Sequence, residues 1–125
     1  MTARRPFFLN LLLIRQPVGA VASILHRASG ALLALLIPLF LYGLMCSLES
    51  ESAFLALRAW AASGLGQVIL LGVIWATAHH LFAGLRHLGF DLGLGESRNR
   101  SRLTAWLSLV LGGAVTALAA LGMWW

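Results

Sequence analysis

The stretch LGQVILLGVIWATAHHLFAGLRHLGFD, residues 65–91, decides how the chain folds. Between Leu65 and Phe90 its only ionisable interruptions are His79, His80, Arg86 and His87, and the run exceeds the roughly 20 residues that a membrane-spanning helix needs. Working outward, a second apolar run on its N-terminal side goes from Gly30 to Ser47. The apolar Val21 to Leu25 extends it into a helix expected over 22–47, with His26 and Arg27 in its opening turns. On the C-terminal side Leu103 to Trp125 carries no charge and predicts a third helix over 103–125. The joints are short: 52–63 is weakly amphipathic, and 93–102 holds Gly, Ser, Asn and three Arg. The expected fold class is all-α, an integral membrane bundle of three transmembrane helices in a single domain over 1–125.

Composition points the same way. Of 125 residues 60% are apolar and 10% charged, against roughly 25% charged in a soluble domain, and mean hydropathy is +0.88. A water-soluble globule is excluded on that balance. The net charge of +5 comes with nine basic residues that are all Arg and that flank apolar runs. They form no solvated patch interleaved with aromatics, so nucleic acid is not an expected partner; the lipid bilayer is. The single cysteine, Cys46, excludes an internal disulfide and a Cys-rich metal or iron–sulfur site, so any cofactor must be held by histidine.

Arginine placement sets the expected orientation. Arg4, Arg5 and Arg15 precede the first helix and Arg98, Arg100 and Arg102 lie between the second and third, whereas the other joint has only Arg58. The positive-inside rule then places the N-terminus in the cytoplasm and the C-terminus, with Trp124 and Trp125 in the aromatic belt, in the periplasm. Arg4-Arg5 followed by Phe7 to Ile14 has the outline of a secretory signal. The apolar part is short, contains Asn10 and ends in Arg15 and Pro17, so a cytoplasmic interfacial segment over 1–21 accounts for it better.

An ionisable group inside a span costs at least about 2.5 kcal/mol, so Arg86 and the histidines need a reason. His80, Gly84, His87 and Asp91 are spaced four, three and four, which places them on one helical stripe. A histidine beside a glycine can admit a flat macrocycle and ligate haem iron; equally, Gly84 can serve helix packing with the histidines as interhelical hydrogen-bonders. Counting from Asp91, His80 lies about 16 Å deep and His87 about 6 Å, the level of His26 and Arg27. Groups from two helices at one depth suit an anion such as a haem propionate, or Arg27 and Arg86 snorkel to lipid phosphates. Ser23, His26 and Arg27 share a face. A hydroxyl beside a guanidinium suits a quinone carbonyl, or else Ser23 is a helix cap and Arg27 a topogenic charge. For Asp91 an ion pair with Arg27 or Arg86 is preferred over a proton relay.

Two motifs resemble a known family. Arg5-Pro6, Leu9-Asn10 and Ile14-Arg15, followed by Ser23-Ile24-Leu25-His26-Arg27-Ala28-Ser29-Gly30, are similar to the opening of the cytochrome b membrane-anchor subunit of bacterial succinate dehydrogenase, respiratory complex II. His80-x-x-x-Gly84-Leu85-Arg86-His87-Leu88-x-x-Asp91 resembles that family's second-helix signature. Phe7-Phe8-Leu9 departs from the Ser-Pro-His stretch of many relatives. The resemblance implies one haem b shared with a second small anchor subunit, and docking of flavoprotein and iron–sulfur subunits on the cytoplasmic face. It also implies ubiquinone as the substrate reduced, in the bacterial inner membrane. By the same resemblance His80 is the axial ligand of the haem iron, His26 a propionate partner, and Ser23 and Arg27 the quinone site; Gly84 and His87 complete the expected haem-binding set. No residue of this chain is expected to catalyse succinate oxidation. The rival readings are a fumarate-reductase-type anchor and a non-redox membrane transport or structural subunit.

Overall fold

The computed structural model describes residues 15–124, and among these it contains four helices and no strand. Helix α1 spans Val18–Glu49, α2 Glu51–Ala62, α3 Gly64–Asp91 and α4 Arg98–Trp124. Of the segment expected at the interface over 1–21, positions 1–14 lie outside the described residues, as does Trp125. Val18 to Val21 belong to α1 instead. Pro17, extended at φ −65° and ψ 149°, stands just before the helix, and no polar residue interrupts the chain between it and Ala22. At 1.5 Å per residue, the 32 residues of α1 reach about 48 Å, longer than a hydrocarbon core of about 30 Å. Pro38 sits inside α1, a position that spanning helices tolerate.

The joint expected over 52–63 is itself helical. Ser50 turns the backbone extended (φ −162°, ψ 158°) and its Oγ accepts from the Ala53 amide at 3.2 Å, with Glu51 in the first turn to complement the helix dipole. Weak amphipathicity concealed a helix that local capping and alanine content support. Ser63 repeats the device for α3, accepting from the Gly66 amide at 3.1 Å. Gly66 has no alternative there, because a Cβ would run into the Trp60 carbonyl.

Helix α3 ends at Asp91, where the stripe reading placed it. Gly93 takes φ +72°, and the bonds Leu94 N–H to Gly89 O (2.8 Å) and Gly93 N–H to Phe90 O (2.9 Å) make a Schellman closure. Helix α4 begins at Arg98, five residues before the expected Leu103: arginine is a good helix former, and its long stem lets the charge stay outside the apolar zone.

Helices α1, α3 and α4 are each long and apolar enough to cross a membrane. Their packing is that of a protein whose solvent is lipid. Apart from His79 the buried positions of these helices are small, namely Ala22 and Ser29 on α1, Gly66, Ala76, Ala78 and Ala83 on α3, and Ala105, Ser108 and Gly112 on α4. Large side chains point outward, with Leu35 at 76% and Leu48 at 77% exposure. Lipid gives no hydrophobic push between helices, so close backbone approach through small residues supplies the cohesion. The far ends of α3 and α4 are tied by Trp124 Nε1–H donating to Gln67 Oε1 at 2.8 Å.

Candidate functional site

One face of α3 turns His80, Gly84 and His87 toward α1, and α1 answers with His26. The imidazoles of His26 and His80 stack with centroids 4.2 Å apart and 13° between planes. His87 lies 5.0 Å from His26 at a tilt of 38°. The stripe therefore meets α1 from His80 to His87, and the shared depth of His26 and His87 read from the sequence is a spatial neighbourhood. A Cβ on Gly84 would stand 3.4 Å from His26 Nε2, so the space beside Gly84 is used by the His26 ring.

His80 is held by one atom. Its Nδ1 lies 3.0 Å from the His26 carbonyl oxygen and 3.3 Å from Ser29 Oγ. A carbonyl oxygen can only accept, so Nδ1 carries the proton and Nε2 keeps its lone pair. The Ser29 hydroxyl donates to the same carbonyl at 2.9 Å, and Ser29 is buried at 4% exposure. Gly30 makes the approach feasible: a Cβ there would meet His80 Cε1 at 2.6 Å. Sequence reasoning gave neither Ser29 nor Gly30 a role. The signal was present, since they follow His26 by three and four residues and so share its face.

His79 faces the other way. It is fully buried, neither ring nitrogen has a hydrogen-bond partner, and its ring stacks on Trp75 at 5.2 Å and 4°. Across from it a Cβ on Gly112 would come within 3.2 Å of the His79 Cα, so α3 and α4 touch backbone to backbone. Of the two adjacent histidines, only His80 has a bonded Nδ1 and a half-exposed edge.

Arg86 is half-buried and reaches α4. Its Nε donates to Thr104 Oγ1 at 3.3 Å, an Nη donates to Ser101 Oγ at 3.2 Å, and its guanidinium lies 4.5 Å from the Phe90 ring centre. Hydroxyls and an aromatic face thus receive the charge, and Asp91 stays exposed at the helix end. Ser23 is half-buried and Arg27 exposed, one turn apart on α1. Among the described residues no group of three or more His, Cys, Asp or Glu is arranged to hold a metal ion.

Comparison with known proteins bears on this geometry. The family model described as succinate dehydrogenase/fumarate reductase transmembrane subunit matches residues 1–121. The chain belongs to that family. It is 36% identical over 125 residues to the succinate dehydrogenase cytochrome b556 subunit of Coxiella burnetii, covering 99% of this chain and 100% of the relative. It is 35% identical over 117 residues to the protein of the same name from Paracoccus denitrificans, covering 94% and 89%. A cytochrome b560 subunit from Reclinomonas americana is 28% identical over 134 residues, covering 95% and 86%. The chain is accordingly a membrane subunit of the succinate dehydrogenase type.

Proposed function

We propose that this chain is the cytochrome b anchor of a succinate:ubiquinone oxidoreductase in the bacterial inner membrane. It holds one haem b jointly with a second small anchor subunit and seats the iron–sulfur and flavoprotein subunits at its arginine-rich, cytoplasmic end. The observation that carries the reading is the bond from His80 Nδ1 to the His26 carbonyl, which leaves Nε2 as a lone-pair donor of fixed direction. Iron-ligating histidines characteristically give their other ring N–H to such a partner. When bound, the haem supplies a reversible one-electron store within the apolar layer.

The chain's own residues do the rest. His80 offers Nε2, and Gly30 leaves its ring room. His26 and His87, nearer the arginine-rich end, supply polar ring edges for the haem carboxylates, with Arg27 beside them as a cation. Ser23 and Arg27 donate to a quinone carbonyl oxygen and stabilise the negative charge that develops on it. Asp91, next to the docked subunits, stands where a proton would enter. With His79 enclosed between α3 and α4, His80 would be this chain's ligand to the haem iron, and a second ligand would come from the partner anchor. A fumarate-reductase anchor is the second reading, because the matching family description names both enzymes.

The test separates sites. Ser23→Ala and Arg27→Leu in the assembled complex are expected to lower succinate:quinone turnover by at least about tenfold, the scale of losing one charge-stabilising donor, with haem content and succinate oxidation by a soluble acceptor unchanged. Loss of haem with intact quinone turnover would move Arg27 from the quinone to the propionates.

A further inference from the structure

Ser29 lies in the α1–α3 seam at 4% exposure. A serine inside a helix often spends its hydroxyl proton on a carbonyl of its own preceding turn, and Ser29 does so, donating to His26 O at 2.9 Å. Its oxygen is then left as an acceptor, and what stands before it is Nδ1 of His80, 3.3 Å away. That nitrogen carries a proton because its nearer neighbour, the His26 carbonyl at 3.0 Å, can only accept. The His80 N–H is thus shared between two oxygens of α1, and the three groups close a triangle. Ser108 on α4 is the contrast. It is as deeply buried, at 2% exposure, and donates to Ala105 O at 2.8 Å, yet it has no second partner among the described residues.

We infer that Ser29 is a positioning residue for the His80 imidazole: it fixes the rotation of the ring about the Cβ–Cγ bond, and with it the direction in which Nε2 offers its lone pair. The inference rests on His80 being the haem ligand. The Cβ–Cγ torsion of histidine is broad, so a single hydrogen bond at Nδ1 leaves the ring a soft swing. The other neighbours restrain that swing weakly, since the His26 ring stacked at 4.2 Å is itself a side chain free to tilt with its partner, and Gly30 has no side chain to bear on the ring edge. The Ser29 oxygen is different. Burial and its own bond to the carbonyl hold it in place, so the ring gains two fixed points of attachment on α1. Supporting hydrogen bonds of this kind hold a ligating group within about 10–20° of its working direction.

The test is the low-field g value of the oxidised haem in the complete membrane complex, read by electron paramagnetic resonance. That value follows the plane of an axial imidazole and is independent of turnover. Ser29→Ala is expected to keep the haem, because the carbonyl bond to His80 remains, and to shift and broaden the low-field signal beyond its wild-type width. Ser29→Thr and Ser29→Val add the same branched bulk and differ in the hydroxyl, which threonine can turn to the preceding helical turn as serine does. The threonine variant should keep the wild-type position and the valine variant should lose it. Ser108→Ala, which removes the equivalent own-turn bond from the α3–α4 seam, should leave the signal unmoved. An unmoved signal in Ser29→Ala, or equal spectra for Ser29→Thr and Ser29→Val, would overturn the inference and reduce Ser29 to a packing residue. An equal shift in Ser108→Ala would overturn it in favour of a general loosening of the bundle. Failure of the underlying reading is recognised separately: b-type bands that persist in His80→Phe would remove the ligand assignment, and this inference with it, whatever the Ser29 variants show.

Discussion

His79 and His80 are neighbours in sequence and belong to two different seams. Along the α1–α3 seam polar groups meet polar groups: His80 against the His26 carbonyl and Ser29, with His26 between His80 and His87. Along the α3–α4 seam alanine, serine and glycine bring the backbones together, and His79 lies within it, stacked on Trp75 with both nitrogens unpaired. One step along a helix is a turn of about 100°, enough to give one imidazole hydrogen-bond partners on α1 and leave the next packed with none. Each seam has its own glycine, Gly30 against the His80 ring and Gly112 against the His79 backbone. A glycine in a membrane helix is therefore read by what stands across from it.

The largest effect is expected at Gly30. Gly30→Leu drives a branched side chain into the space of the His80 imidazole and should abolish the b-type absorption bands, with Gly30→Ala already giving a partial loss because the first methyl meets Cε1 at 2.6 Å. Full haem occupancy in Gly30→Leu would show that His80 binds from another rotamer and would dissolve the distinction between the seams. Next comes Gly112→Ala. Its methyl faces rigid backbone at 3.2 Å, and the bundle should lose about 1–3 kcal/mol of stability, measured by unfolding in detergent, while the haem spectrum stays unchanged. Loss of haem there would mean that the seams are coupled. The smallest effect belongs to Gly84→Ala, where 3.4 Å to His26 Nε2 lets the ring yield by a few tenths of an ångström. The gain of about 1 kcal/mol in helix propensity nearly offsets the contact, so stability should shift by less than about 1 kcal/mol.

Much of this was readable in the residues. Hydropathy and arginine placement gave the three spans, and the four-three-four spacing from His80 to Asp91 placed a stripe that does meet His26. Helix α2 was missed because its pattern is weak and its cap, Ser50, precedes the region read as a joint. The early start of α4 is hidden because Arg98, Arg100 and Arg102 register in the sequence as charge, although arginine is also a good helix former. The roles of Ser29 and Gly30 follow from the reach of His80 across to α1, and no spacing within one helix reveals which side chain arrives from another. The burial of His79 likewise depends on Gly112, thirty-three positions away in the chain.

The central claim is that His80, and not His79, gives Nε2 to the haem iron. The direct measurement is the dithionite-reduced-minus-oxidised spectrum of the complete complex carrying His80→Phe or His79→Phe, with subunit content checked on the same preparations. The account predicts that the b-type bands vanish in His80→Phe and persist in His79→Phe, whose stability should hold or rise because two unpaired buried nitrogens, each costing about 1–3 kcal/mol, are removed. Bands retained in His80→Phe and lost in His79→Phe would contradict it.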